Sequence, residues 1–523
     1  MRRIAVLLFL VPLAVLLSQG PRVPRDARVG YESITGNDLS AHLHFLASPE
    51  LEGRETTLRG QRLAALYIAS VFQKLGLKPG GDNGNYLQKF DVEVTKVSDQ
   101  SNITVMSNQT SKRFLFRKDY VSISTQDTVL SGPVLFTGFM DTKVDSALSK
   151  NRIIVAFAGR RQDSRDTSVP AIRRLSFFRQ FPGSIATLLI ADDSGAASLQ
   201  QLTARFASML DRQQMRLPGV ERRGRFAFSS PYMISTDLAS EILKATGRSM
   251  PALRQAAYAD TAFQPIQLSR TTVRIESKMI SELKQTENVV GLLEGSDPKL
   301  KEEAVVFSGH YDHIGVGGGG VVFPGADDDG TGTVSVLELA EAFVTNPIKP
   351  KRSLIFLTVT GEEKGLLGSQ YYVTHPLVPL RRTAADLNID MIGRVDKKYE
   401  QLKDSNYVYV IGSDKISTQL DSLLKLTNAE SENFVLDYTY NDDRDPQQFY
   451  RRSDHYNFAQ NGVPIVFFFT GIHDDYHRPT DTVDKILFDR MARIVRLIYA
   501  TGWKVANHPS LLVKDVETSI YAR

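Results

Sequence analysis

The sequence predicts an α/β fold: a mainly parallel (mixed) sheet with helices on both faces, interrupted by a smaller inserted α+β module. Three observations predict it. From residue 266 onward, runs of β-branched residues alternate with stretches of helical periodicity, the mark of βαβ units. Residues 101–265 differ in texture, with short apolar runs between charged loops and no histidine. Histidines and acids then recur directly after the apolar runs of the last segment, where an open α/β sheet binds its ligands.

The first element is a leader over residues 1–20. Arg2 and Arg3 precede "IAVLLFLVPLAVLL", which Pro12 interrupts and which ends at the small-residue pattern Ser18-Gln19-Gly20. This reads as a signal peptide and predicts a secreted or periplasmic protein. No other stretch is long and apolar enough to span a bilayer, so no stable membrane partner is expected once the leader is removed.

Residues 31–100 contain "RGQRLAALYIASVFQKLGLKPGG". Leu63, Leu66, Tyr67, Ser70, Val71 and Leu75 fall at helical spacing and predict one amphipathic helix with that face inward, stopped by Gly76 and Pro79. In residues 101–265, "GPVLFTGF", "RIIVAFAG", "IATLLIADD" and "PYMIST" read as strands of the insert. Residues 266–507 read as strand "EEAVVFSG", helix "TVSVLELAEAFV", strand "SLIFLTVT", helix "KGLLGSQYYV", strand "AADLNID", strand "YVYVIG", helix "STQLDSLLKL" and strand "VPIVFFFTG". Residues 508–523 read as a C-terminal tail.

Composition narrows the function. A formal net charge of +4, part of it in the leader, is too balanced to argue for nucleic acid. The absence of cysteine excludes disulfides, thiolate ligands and a cysteine nucleophile. Any metal must therefore be held by imidazoles and carboxylates.

Those groups stand at four strand ends: His310 and Asp312 in "HYDH", Glu362 and Glu363 in "GEEKG", Asp390 after "AADLNI", and "HDDYHRPTDT" after "VPIVFFFTG". The triple aspartate of "PGADDDGTG" adds carboxylates at the start of the next helix. A hydrolytic metal pair asks for these types: an anionic bridge, neutral imidazoles, terminal carboxylates and a nearby base.

"GHYDHIG", "PGADDDGTG", "GEEKGLLGSQ", "LNIDMIGR" and "YHRPTDT", in this order, resemble the co-catalytic zinc peptidases that include aminopeptidase Y and glutamate carboxypeptidase II. The stretch "LEGRETTLRGQRLAALYIASVFQKLGLKP" is similar to the N-terminal helix of that family, and the insert is similar in place to its protease-associated domain. The resemblance implies two Zn2+ ions, with His310 and Asp390 on one, Glu363 and His477 on the other, and Asp328 bridging. It implies Glu362 as general base, Asp312 holding the second nitrogen of His310, and Tyr476 hydrogen-bonding the oxyanion. Asp327 and Asp329 are expected to be supports at a helix N-terminus.

Other features have plainer readings. "GVGGGG" (315–320) lacks a GK[ST] sequel and reads as a flexible rim loop. His313 and His473 read as rim or outer groups rather than ligands, and Ser453-Asp454-His455 as a helix cap first, with a pocket-lining role second. Arg451 and Arg452 read as a solvated charged face or as a substrate-carboxylate site. The expected function is an exported zinc-dependent exopeptidase acting through a two-metal-activated water. An aminopeptidase taking peptides with a free N-terminus comes first; a carboxypeptidase of the glutamate carboxypeptidase type, or a receptor-like binding protein on the same fold, are the alternatives.

Overall fold

A computed structural model describes residues 23–107, 110–122, 127–158, 181–191, 198–205, 214–220, 231–259 and 263–516. The leader over residues 1–20 lies outside the described residues. The chain divides into two compact units, Met1–Phe90 with Thr286–Arg523, and Asp91–Gln285.

In the first unit, a short helical turn (Arg28–Ser33) precedes helices α1 (Gly36–Leu46) and α2 (Arg59–Lys74). The sheet includes β1 (Met279–Leu293), of which the part from Thr286 lies in this unit, and β2 (Ala304–His310), followed by α3 (Gly332–Thr345), β3 (Ser353–Val359), α4 (Leu367–Thr374) and β4 (Thr383–Ile389). After these come β5 (Tyr407–Ile411), α5 (Thr418–Glu430), β6 (Val435–Asp437), α6 (His455–Gln460), β7 (Ile465–Phe469) and α7 (Phe488–Asn507). Part of the ten-stranded sheet runs in the order β6-β5-β7-β4-β2-β3-β1. Strands β3, β2, β4 and β7 run parallel, as do β5 and β6, whereas β1 and β5 meet β3 and β7 antiparallel. The mixed sheet expected from the alternating pattern is therefore present.

Every residue of β2, β3 and β4 is buried, which requires cover on both faces. Successive residues divide between two cores. Val305 and Phe307 pack with Leu43 of α1, Leu337 of α3 and Ile498 of α7; Ala304 and Val306 pack with Tyr372 of α4 and Phe458 of α6. Polar side chains inside the sheet satisfy one another: Ser308 Oγ donates to Asp386 Oδ1 at 2.7 Å.

Helix α2 forms where expected, and the chain turns at Gly76 with φ of +71°. Its inward face differs from the expected one. Gln61, Ala64, Ala65, Ile68 and Phe72 are buried, while Leu66 is 48% exposed. Close approach decides the first turn: a Cβ on Gly60 would stand 1.7 Å from the Leu51 carbonyl oxygen, so glycine and the alanines face inward there, in line with Ile68 and Phe72, and Leu66 is left outside.

The Gly-rich stretch is a small hairpin, Gly315–Val316 pairing with Val322–Phe323. Residues after His508 are tied down as far as they are described: Leu512 is buried and the Thr418 N–H donates to Asp515 Oδ1 at 2.9 Å. The second unit carries a mixed sheet of its own in the order Thr110–Leu115, Asn102–Ser107, Ile266–Ser277, Thr128–Phe139, Ile153–Phe157, Ala186–Ile190, Tyr232–Ile234, Tyr120–Val121. Among the described residues no helix is long and apolar enough to cross a membrane.

Candidate metal centre

Because β2, β3, β4 and β7 are parallel, their C-terminal ends share one edge of the sheet. His310 is the last residue of β2, and Asp390 follows the last residue of β4. Glu362 and Glu363 follow β3, and His473, Tyr476 and His477 follow β7. The wide turn Ala326–Thr331 brings Asp328 to the same edge before α3 begins at Gly332.

Asp328 is the centre of the arrangement. On one side its Oδ1 is 3.4 Å from His310 Nε2, which is 3.7 Å from Asp390 Oδ2 and 3.8 Å from Glu362 Oε2. On the other side its Oδ2 is 3.0 Å from His477 Nε2, which is 3.3 Å from Glu363 Oε1. His313 Nδ1 joins this second group, 3.0 Å from Glu363 Oε1 and 3.8 Å from Asp328 Oδ2. Two sets of ligand atoms thus converge, His310/Asp328/Asp390 and His313/Asp328/Glu363, and Asp328 belongs to both.

The donor set fits a pair of cations. His310 Nε2, His313 Nδ1, Asp328 Oδ2 and Glu363 Oε1 are buried without a hydrogen-bond partner, although they crowd together. Four carboxylates, Asp328, Glu362, Glu363 and Asp390, share this small volume, where mutual repulsion calls for positive charge. Burial opposes charge on the imidazoles, yet the acids win: Glu362 and Asp390 raise the affinity of His310 for a proton, and Asp328 and Glu363 push His477 up to about 10. Burial likewise works against the Glu363 carboxylate, yet the neighbouring imidazoles hold it down near 2.

Glu362 behaves in the opposite way. Burial, then Glu363 and the other nearby acids, raise its carboxyl well above the usual carboxylate range against the pull of His310. The Glu362 N–H donates to Asp312 Oδ1 at 3.2 Å. A pocket opens beside Asp328, Glu362 and Asp390, walled by Phe449, Phe467, Phe469 and Ile472 and lined also by Arg452 and Tyr476. Burial and the nearby acids raise the Tyr476 phenol far above its ordinary pKa, so it is a hydrogen-bond donor at neutral pH.

The structure refines several expectations. His310 Nδ1 is held by the backbone carbonyl of Asp312 at 3.0 Å, not by its carboxylate, which stands 3.8 Å away and accepts from Thr56 Oγ1 at 2.7 Å. Asp329 does more than face a helix N-terminus: it accepts the N–H groups of Gly332, Met391 and His310 at 2.8, 3.1 and 3.1 Å, joining three segments. Asp327 accepts the Gly393 N–H at 2.7 Å and pairs with His473 Nε2 at 3.1 Å, so His473 is an outer group as expected.

The helix-cap reading of Ser453-Asp454-His455 is overturned. Asp454 caps α6 with no side-chain hydrogen bond; its carboxylate accepts from Ser369 instead. Ser453 Oγ donates to Asp390 Oδ2 at 2.7 Å and accepts from Asn388 at 2.9 Å, which orients Asp390.

Arg54 lies in "LEGRETTLRG", ahead of α2. Fully buried, it donates to the carbonyls of Tyr311, Leu46, Pro324 and Gly325 at 2.6–2.8 Å, stitching the 311 and 324 loops together. A lone arginine flanked by glycine and glutamate carries no pattern that announces such a role.

Residues 288–502 match Peptidase family M28, in agreement with the resemblance carried by the motifs. A probable leucine aminopeptidase 2 of Aspergillus oryzae (strain ATCC 42149 / RIB 40) is 34% identical over 200 residues, 38% of this chain and 36% of that protein. Aminopeptidase YwaD of Bacillus subtilis (strain 168) is 28% identical over 237 residues, 42% of this chain and 44% of its own. The match thus spans less than half the length of these relatives. Among solved structures, the aminopeptidase from Aneurinibacillus sp. strain AM-1 has a TM-score of 0.53 at 17% identity, over 94% of this chain and 98% of that one, a likeness of fold.

Proposed function

We propose that this chain, whose residues 288–502 match Peptidase family M28, is an exported zinc-dependent aminopeptidase that removes N-terminal residues from peptides. One observation carries the proposal: the two carboxylate oxygens of Asp328 face two separate ligand sets, with the Glu362 carboxylate beside them. His310 and Asp390 would hold one zinc, Glu363 and His477 the other, with Asp328 shared. Bound there, the ions would supply Lewis acidity, polarising a carbonyl and making it easier for a water to give up its proton.

The chain's own residues do the rest. Glu362 takes a proton from the attacking water and returns it to the leaving amine; its carboxylate lines the pocket, with Oε2 3.8 Å from His310 Nε2. Tyr476 lines the same pocket as Glu362 and donates its O–H to the developing oxyanion. Aromatic walls from Phe449, Phe467 and Phe469 favour an apolar first side chain, a preference compatible with the name of the Aspergillus relative. The surplus of carboxylates attracts the free α-ammonium. Export to the periplasm or beyond rests on the leader over residues 1–20.

A second reading has its own observation. Arg452 lines the pocket and donates to the Tyr476 hydroxyl at 3.3 Å, a place from which a guanidinium could hold a substrate carboxylate. Incubating the zinc-loaded protein with free, N-blocked and C-blocked versions of one peptide separates the two. Loss of cleavage on N-blocking alone supports the aminopeptidase; loss on C-blocking alone supports the carboxypeptidase. No cleavage of any version leaves only a binding protein.

A further inference from the structure

His313 lies in "HYDH", three residues after His310, and the loop turns the two imidazoles to opposite oxygens of Asp328. Resting on the two-zinc reading above, we propose that His313 is itself a metal ligand, giving the ion at Glu363 and His477 a second imidazole through Nδ1.

Three observations carry this. First, His313 is fully buried and neither ring nitrogen has a hydrogen-bond partner. An imidazole sealed in the interior with both nitrogens idle is costly unless something else binds it. Second, its Nδ1 lies 3.0 Å from Glu363 Oε1 without hydrogen-bond alignment. Nitrogen and oxygen therefore aim past each other at a common point. Donors held at about 2.0–2.1 Å by one tetrahedral zinc stand about 3.3 Å apart; the separations among His313, His477, Glu363 and Asp328 run 3.0, 3.3, 3.0 and 3.8 Å.

Third, the ring is seated in a built slot. A Cβ at Gly325 would fall 2.5 Å from both Cγ and Cδ2 of His313, so glycine is required there, and at φ of +58° the backbone also favours it. The His313 N–H donates to the Arg54 carbonyl at 3.2 Å, and Arg54 in turn binds the Gly325 carbonyl at 2.8 Å. His477, by contrast, is 38% exposed in a loop. The buried histidine would be the fixed member of the pair and the exposed one the mobile member.

X-ray absorption of the di-zinc protein counts imidazoles directly, and cobalt titration of the metal-free protein reads the affinity of each site. The expected result is three imidazoles shared by the two zinc ions, His310, His313 and His477. His313→Asn should then lose one imidazole and weaken one cobalt equivalent by more than about 100-fold, beyond the 10–100-fold that loss of an outer partner gives, while the other equivalent is unchanged. A count of two imidazoles in the wild-type protein overturns the assignment whatever the variant does, including a failure to fold. If the wild type takes up fewer than two metal ions, the two-zinc reading falls, and this assignment with it.

Discussion

Asp481 holds the backbone of Asp328: its Oδ2 accepts the Asp328 N–H at 3.2 Å, and both its oxygens face the Asp327 N–H at 3.1 Å. The Ala326 N–H donates to the Asp481 carbonyl at 3.2 Å. One residue of the last loop thus fixes the turn that presents the central carboxylate. In Asp481→Asn one acceptor oxygen becomes an N–H2 donor facing N–H groups. Metal affinity should fall by about 10–100-fold, with peptide cleavage falling in parallel and recovering at high zinc. Cleavage that falls with metal affinity unchanged would contradict the positioning role.

The three neighbouring aspartates should separate sharply. Asp328→Asn removes the group shared by both ligand sets and should abolish cleavage. Asp327→Asn leaves both sets intact and disturbs the contacts with Gly393, Thr331 and His473, so a partly active enzyme is expected. Equal losses in the two variants would mean that the bridge has been assigned to the wrong aspartate.

Glu362→Gln keeps the shape of the base and removes its proton affinity. Turnover should drop by about 10²–10⁴-fold with zinc content unchanged, because Glu362 belongs to neither converging ligand set. Metal analysis alongside kcat checks this, and a variant that loses zinc would show Glu362 to be a ligand.

Chelation should stop cleavage and also loosen the fold. Without cations, the buried carboxylates of Asp328, Glu363 and Asp390 repel one another and the idle nitrogens of His310 and His313 stay unpaired. Melting curves with and without chelator should show a lower midpoint in chelator, restored by added zinc. An unchanged midpoint would argue that the acids are neutralised by protons alone.

A second buried acid, far from this cluster, gives a pH test. Glu338 of α3 accepts the Thr35 N–H at 3.1 Å through Oε1, while its Oε2 has no partner. Burial first, then Asp38 and Glu341, push its carboxyl from the ordinary 4.5 up to about 8. A carboxyl that binds its proton more tightly when folded contributes stability fully present below 4.5 and lost as pH rises through about 8. Glu338→Gln keeps the accepted bond and removes that loss. Its melting midpoint should exceed the wild type by a few degrees at pH near 8.5 and match it near pH 4.5; equal differences at both pH values would sink the idea.

Much of this could be read along the chain. Alternation of apolar runs located β2, β3, β4, β5 and β7 and the helices between them, because strand and helix impose different periods on whatever residues must be buried. The ordered motifs located His310, Asp328, Glu362, Glu363, Asp390, Tyr476 and His477 at one edge, because parallel strands bring their C-terminal ends together. The inward face of α2 was legible only in part: size and apolarity favoured Leu66, whereas the approach of Leu51 to Gly60 favoured the alanines.

By itself, then, the sequence determined the kinds of donor and the order in which the chain delivers them. Tertiary structure alone decided where each side chain points. Spacing in "HYDH" cannot tell that Asp312 turns its carboxylate to Thr56 while its carbonyl holds His310. Nor can it tell that His313 turns inward beside Glu363, or that Ser453 reaches Asp390 across 63 residues of chain. Those directions follow from backbone torsions and from neighbours distant in sequence, Gly325, Arg54 and Asp481 among them, which take their places only when the sheet closes over its core.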